Sequence, residues 1–376
     1  MQGHSFLPPS GAKSWRQCAM WPTMNAKYPK DDTPESLEGN AAHWVFAEML
    51  DGRYHDVGTT SPNGTLVTEE MIEGGELVVD TVARLLPIPY ELHVEETIDV
   101  STIHKDCWGT PDIWSFNQTS FTLDVFDYKF GHRFVDEYEN DQGVCYIEGI
   151  LNTLSVQFNI PPGELDQLIT VNFTIIQPRC YYKGQPVRTW SFRAVDLRGQ
   201  INKLRGAALD AMQPNPTATT NEECQDCPGR HVCEALQKAA YSDAEYAVAS
   251  SPAELPPLAA ALELKMLERS LERLQSRVEG LRESVSMYIK QGHSIPWYRA
   301  EQGYGREQWT LPPEQIISMG NLMGKDLAKV AVKTPLQAKK LGIDESVISA
   351  YSIKPKGEIK LVSVNPSDAR RVFGNN

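Results

Sequence analysis

The sequence predicts an α/β (α+β) protein, and three observations carry that prediction. Residues 109–131, GTPDIWSFNQTSFTLDVFDYKFG, read as a β-hairpin: two apolar, aromatic-rich runs around the polar turn Asn117-Gln118-Thr119-Ser120. Residues 168–177, LITVNFTIIQ, form a β-branched run suited to a strand buried on both faces. Stretches of good helix formers stand before, between and after these strands.

Taken in order, Ser10 is placed to cap a short helix that stops at Pro22. Leu37–Leu50 and Thr68–Leu86 read as helices, the second ended by Pro87 and Pro89. Leu92–Val100 reads as a strand leading into the hairpin, and Glu137–Phe158 and Val195–Met212 as helices. Pro214–Thr220 is a linker before the cysteine-rich segment Cys224–Cys233. A long helix then runs from about Ala253 to Gln291 and ends at Gly292. Its residues Leu264, Leu267, Leu271, Leu274, Val278, Leu281, Val285 and Tyr288 alternate spacings of three and four, a narrow coiled-coil-type seam. Such a seam can pair with a partner helix or pack on the body, and for so few heptads packing on the body is the expectation. Residues 294–310 read as a small hairpin and 311–376 as a mixed helical and basic tail. The organisation expected is a core domain over 1–250 and an extension over 251–376.

Composition narrows the class. Hydrophobic content of 41% and charged content of 23% suit a water-soluble globular chain. No apolar run approaches membrane-spanning length, so no membrane partner is expected. The start, MQGHSFLPPSG, lacks the basic and apolar regions of a secretory signal, which predicts a cytoplasmic protein. Net charge is −13, against generic polyanion binding, but residues 290–376 carry 13 Lys+Arg and 8 Asp+Glu. An acidic body with a basic tail permits nucleic-acid binding on one surface, or simply a solvated lysine tail. Seven cysteines without a signal argue against a disulfide scaffold.

The chemistry-bearing residues of the hairpin are Asp112, Asp127 and Lys129. Asp127 and Lys129 share a face by strand alternation. If Asn117 pairs with Ser120, Asp112 lies opposite Val125 and one diagonal step, about 7–8 Å, from Asp127. Two carboxylates and an ammonium then share one face and can hold Mg²⁺ or Mn²⁺ and act on a phosphodiester. The lysine would add fixed charge where negative charge develops, or orient the attacking water. By spacing alone, a surface Asp/Lys cross-pair explains the same residues.

Other residues add to this. His43, in Gly39-Asn40-Ala41-Ala42-His43, is a candidate metal ligand or a packed core residue. Gln142 and Tyr146, four apart, present polar heads on one helix face. Cys224, Cys227 and Cys233 form C-x₂-C-x₅-C, a thiolate array that calls for a metal, and His231 inside it could replace a ligand. Cys107, Cys145 and Cys180 read as isolated buried thiols. Glu95 and Glu96 offer a minor option for a second metal, and Asp99, Asp124 and Asp136 read as solvated or turn carboxylates.

Together these residues resemble the RecB-like PD-(D/E)xK nuclease family. More narrowly they resemble its iron–sulfur branch, which includes the AddB nuclease domain and the CRISPR adaptation exonucleases. The order His43, Gly109-Thr110-Pro111-Asp112, Asp127-Tyr128-Lys129, Gln142 and Tyr146 follows the family pattern, and Cys18 stands upstream where that branch has its first cysteine. The N-terminal and C-terminal regions also resemble a phage-encoded group of this superfamily. The resemblance implies a restriction-endonuclease-like core, helices around a mixed central sheet. It implies a metal on His43, Asp112, Asp127 and the Tyr128 carbonyl, with Lys129 catalytic and Gln142 and Tyr146 positioning the DNA backbone or the lysine. It implies a [4Fe–4S] cluster on Cys18, Cys224, Cys227 and Cys233, for which a Cys₄ Zn²⁺ site is the alternative. The function implied is a DNA exonuclease acting on single- or double-stranded ends in phage recombination or replication, with a recombination or strand-annealing protein as a possible partner. A non-catalytic DNA-end-binding or assembly protein on the same fold, and a zinc-stabilised interaction protein, are the rival classes.

Overall fold

The computed structural model describes residues 5–180, 185–246, 255–304, 307–327, 343–353 and 356–363, with Pro335 and Ala338 as single positions. Its contacts fall into two units, Met1–Arg277 and Val278–Asn376. In the first unit the strands are β1 (His93–Val94), β2 (Ile98–Asp99), β3 (Trp108–Gly109), β4 (Ile113–Asn117), β5 (Thr122–Tyr128), β6 (Thr170–Ile176) and β7 (Val187–Arg193). Five of them form a mixed sheet in the order β1-β4-β5-β6-β7; β2 and β3 pair separately. β5 runs antiparallel to β4 and parallel to β6. The fold class is therefore α/β, with a mixed central sheet flanked by helices.

β5 sits in the middle because both of its faces are apolar. Leu123 and Val125 belong to the core cluster that includes Val144, Ile147 and Leu151. Phe126 and Tyr128 belong to the cluster that includes Val45, Phe46 and Met71. The N-terminal helices are α1 (Ala12–Gln17), α2 (Trp21–Lys27), α3 (Pro34–Leu50) and α4 (Glu69–Leu85). α3 and α4 cover the Tyr128 face, whereas α5 (Asp141–Phe158) covers the Val125 face. Parallel pairing needs a crossover, supplied by α5 and α6 (Pro162–Leu168). α5 comes close to the sheet at Gly143, where an added Cβ would lie 2.5 Å from the Phe173 ring. α7 (Arg198–Ala211) contributes Ile201, Leu204 and Ala208 to the same core.

Local signals explain most boundaries. Thr33 caps α3 in a reciprocal box with Ser36, Thr68 caps α4, and Asn140 caps α5 by accepting from the Gly143 amide at 3.0 Å. Pro22 lies in the first turn of α2, where its missing N–H costs nothing, so it opens a helix instead of closing one. The Gly39–His43 stretch lies inside α3. The segment 92–100 is two short strands, not one, interrupted at Glu95 with φ 51°. β7 and α8 (Glu234–Tyr246) are additions to the sequence reading.

The hairpin register also differs from expectation. Asn117 pairs with Thr122, not Ser120. The Asn117 side chain accepts from the Thr119 and Ser120 amides, and Phe121 takes φ 51°, so the turn holds two more residues. A two-residue slip keeps every side chain on its face but moves Asp112 from opposite Val125 to opposite Asp127.

The long helix α9 (Pro257–Lys290) forms close to its expected limits. It does not pack through its leucine seam. Ser270 and Arg273 bond Asp243 of α8, at 3.0 and 2.6–2.7 Å, and Arg277 donates to the His231 carbonyl at 3.1 Å. Leu264, Leu267, Leu271, Val278, Leu281 and Tyr288 face solvent.

In the second unit β8 (Tyr298–Tyr304) pairs antiparallel with β11 (Lys356–Ser363), and β9 (Gln308–Trp309) with β10 (Ser352–Ile353). The expected local hairpin over 294–310 is thus replaced by a long-range one. Helices α10 (Pro313–Leu322) and α11 (Glu345–Tyr351) supply Ile316 and Ile348 to a small core with Leu327 and Ile343. Among the described residues no helix is long and apolar enough to cross a membrane.

The close approach at Gly143 can be tested. Gly143→Ala should destabilise the chain by about 1–3 kcal/mol in urea unfolding, because the Phe173 ring must shift. Gly163→Ala, where the Cβ meets open space, should be neutral or stabilising by up to about 1 kcal/mol.

Candidate active site

The first residues past the paired ends of three neighbouring strands come together. Extending the register by one residue sets Glu95 beside Asp112, and the Glu95 amide donates to the Asp112 carbonyl at 3.0 Å. The same extension on the other side sets Asp112 beside Asp127. Three carboxylates from β1, β4 and β5 thus lie abreast at one end of the sheet. Asp112 and Asp127 are buried and Glu95 is partly exposed.

α3 brings His43 to this row. Its Nδ1 lies 3.3 Å from Asp112 Oδ1 and 3.4 Å from Glu95 Oε1. The ring packs against Tyr128 and Phe46 with centroids 5.4 and 5.3 Å away. Tyr128 fits there because Gly74 of α4 has no side chain: a Cβ would stand 2.3 Å from the Tyr128 hydroxyl. The Tyr128 amide donates to Asp112 Oδ2 at 2.6 Å, which fixes the carboxylate and turns Oδ1 toward His43.

The second half of the site is on the α5 side. Lys129 Nζ donates to Asp127 Oδ1 at 3.0 Å and to Gln142 Oε1 at 3.2 Å. Gln142 returns its own N–H to Asp127 Oδ1 at 3.1 Å and lies 3.4 Å from the Tyr146 hydroxyl. Asp127 Oδ2 is buried and accepts no hydrogen bond, although the ammonium is 3.0 Å away at an unsuitable angle. Gln142 and Tyr146 therefore act through Lys129 and Asp127. Tyr146 is buried, and its ring edge would be 3.1 Å from a Cβ on Gly109, the glycine that opens the hairpin segment.

The charges compensate one another. Burial alone would lower the His43 pKa, but the Asp112 charge and the ring's hydrogen bonds to Asp112 and Glu95 push it up to about 10. Burial works against the Asp112 carboxylate too, and the His43 charge overturns it, leaving that pKa below its ordinary value. Burial raises the Asp127 pKa; Lys129 opposes this and Asp112 adds to it. Burial weakens the Lys129 ammonium, and the two aspartates more than restore it.

His43, Glu95 and Asp112 offer one donor atom each, all within 4.8 Å of one another. This is a donor set of one imidazole and two carboxylates, suited to a divalent cation. Glu95, a minor option in the sequence, is thus central. The signal lies in pairing β1 to β4, which sets Glu95 beside Asp112. Glu96 pairs with His93 instead, at 2.9 Å.

The four candidate cluster cysteines, Cys18, Cys224, Cys227 and Cys233, line one pocket. No three of their sulfurs lie within 4.8 Å of one another. Backbone amides aim at two of them: Thr219 at Cys18 and Asn221 at Cys224, both 3.4 Å. Burial pushes the Cys227 thiol up to about 11 and raises Cys224 as well. Lys13 bridges Glu222 and Glu223 at 2.7 Å, which ties α1 to this segment. His231 is turned to the Pro228 carbonyl and Tyr28. Cys107 and Cys145 are not isolated; they hydrogen-bond each other in the core. Asp124 is also not solvated: it is buried, accepts from Asn172 at 2.8 Å, and is raised by burial.

Residues 4–371 match the profile of the family described as "Protein of unknown function (DUF2800)". The chain belongs to the DUF2800 family. That family profile spans both units. Comparison with curated proteins gives no match.

The His43 charge sets a pH signature. Its folded pKa stands above the unfolded value of about 6.5, so its stabilising effect is full below that pH and disappears as pH rises through about 10. In chelator, His43→Gln should cost about 1–3 kcal/mol at pH 6 and progressively less toward pH 10, measured by urea unfolding of both proteins across that range.

Proposed function

We propose that this chain is a metal-dependent deoxyribonuclease of the RecB-like type. The observation that carries the reading is the gathering of His43, Asp112, Asp127, Lys129 and Gln142 at one end of the sheet, in the chain order that the resemblance requires. The donor chemistry of His43, Glu95 and Asp112 fits a hard divalent ion, and Asp127 Oδ2, which accepts no hydrogen bond, offers a fourth donor atom. Mg²⁺ or Mn²⁺ bound there would polarise a phosphoryl oxygen and lower the pKa of a bound water.

The chain's own residues do the rest. His43 would hold the ion as a neutral imidazole, giving up its proton so that the ion's charge replaces its own. Asp112 offers Oδ1 because Oδ2 is held by the Tyr128 amide. Lys129 is held by Asp127 and Gln142, so its ammonium is fixed before substrate arrives and stabilises charge developing on the phosphate. Tyr146 supports Gln142 from within the core. DNA as substrate, attack at ends and a role in phage recombination or replication rest on the resemblance, and the excess of basic residues over 290–376 agrees with a polyanion partner.

Linear DNA labelled at either end, incubated with Mn²⁺ or Mg²⁺, should be degraded, and Lys129→Met should lose about 10²–10⁴-fold in rate while remaining folded. Equal degradation by both proteins overturns the assignment. Retention of DNA without cleavage under both metals would make the chain an end-binding protein instead.

We also propose that Cys18, Cys224, Cys227 and Cys233 hold a [4Fe–4S] cluster. The resemblance favours the cluster over Zn²⁺, and the four sulfurs line one pocket with backbone amides aimed at two of them. Anaerobic purification should give a brown protein with iron and sulfide, and Cys227→Ser should lose the colour. A colourless protein carrying zinc overturns this.

A further inference from the structure

The unused feature of α9 is its apolar seam. α9 is one unbroken helix with Leu264, Leu271, Val278 and Val285 at heptad position a, and Leu267, Leu274, Leu281 and Tyr288 at position d. Leu264 and Leu271 are 58% and 64% exposed. The polar side of the helix is the packed one, through Ser270, Arg273 and Arg277. A helix that sets Ser270, Arg273 and Arg277 against the body and leaves six of its eight seam residues exposed presents an apolar stripe without a partner.

We propose that α9 pairs with α9 of a second copy of this chain, in antiparallel orientation. Two features select that occupant and that direction. In a parallel pair each e position meets a g position of the partner, so Glu263 would meet Glu268 and Arg277 would meet Arg282, like charges on both flanks. In an antiparallel pair with Leu274 layered on Val278 of the partner copy, e meets e: Glu268 of each copy faces Arg282 of the other, opposite charges twice. The second feature is access. Ser270 and Arg277, both g residues, are occupied within their own unit, whereas the e residues Glu268, Gln275 and Arg282 are exposed. A parallel pair needs g on both flanks; an antiparallel pair keeps one flank made of e residues alone.

The full chain should therefore sediment at twice its 42.1 kDa mass and dissociate on dilution. Leu267→Glu/Leu271→Glu places charges at exposed positions, should leave the helix content unchanged by circular dichroism, and should weaken the dimer by more than about a hundredfold. Glu268→Arg should weaken it about tenfold, and adding Arg282→Glu should restore it. Gln275→Cys, beside the two-fold axis, should cross-link under mild oxidation faster than the parent chain. A protein that stays monomeric across the dilution series, or a dimer indifferent to the leucine changes, overturns the proposal. A dimer tightened by Glu268→Arg overturns the antiparallel direction, because that change removes the Glu263–Glu268 repulsion of a parallel pair.

Discussion

Two carboxylates buried side by side at the end of a sheet cannot both stay ionised unless something positive is close. Asp112 and Asp127 are in that position, and the first unit is shaped by the need to neutralise them. α3 brings an imidazolium to one, and the strand that carries the other supplies an ammonium two residues on. The glycines serve the same end. Gly74 admits Tyr128 beneath His43, and Gly143 lets α5 approach until Gln142 reaches both Asp127 and Lys129. Removing either cation leaves a buried carboxylate uncompensated, which costs more than the ion pair itself contributes.

Sequence alone carried the main elements, because their signals are local. Runs of helix formers mark Leu37–Leu50 and Glu137–Phe158, although the caps Thr33 and Asn140 set where those helices begin, and a run such as Thr170–Ile176 has no stable place except inside a sheet. His43, Asp112, Asp127, Lys129, Gln142 and Tyr146 were legible as a set through their order along the chain. What escaped depends on pairing. The hairpin register turned on the Asn117 side chain, which folds back on its own turn and lengthens it. Glu95 gains its place only when β1 is laid against β4, a contact that two-residue strands do not announce. The direction of α9 escaped for a different reason: its apolar seam predicts packing, and the polar side found better partners in Asp243 and the His231 carbonyl.

The N-terminal segment links the two candidate centres. Arg16 of α1 bonds Asp141 at the start of α5 at 2.7 Å, one residue from Gln142. Lys13 and Ser14, one turn earlier, bond Glu223 beside Cys224. Lys30 and Arg133 both hold Asp226. Ion pairs and a hydrogen bond through α1 thus join the cysteine-bearing segment to the helix end that presents Gln142, without any shared ligand. Because the pairs cross between segments far apart in sequence, they stabilise the closed chain more than any one segment.

The wide separation of Cys18 from its three companions has a consequence for biosynthesis. Cys18 leaves the ribosome more than two hundred residues before Cys224. At ordinary rates of translation that is roughly 10–40 s. Throughout that interval the sheet, its crossover and the paired carboxylates can form, while a lone thiol near the start of the chain has no companion sulfur in its pocket. The pocket is completed only after the sheet it adjoins, so the nascent chain brings its four cysteines together last, with the fold already there to receive them.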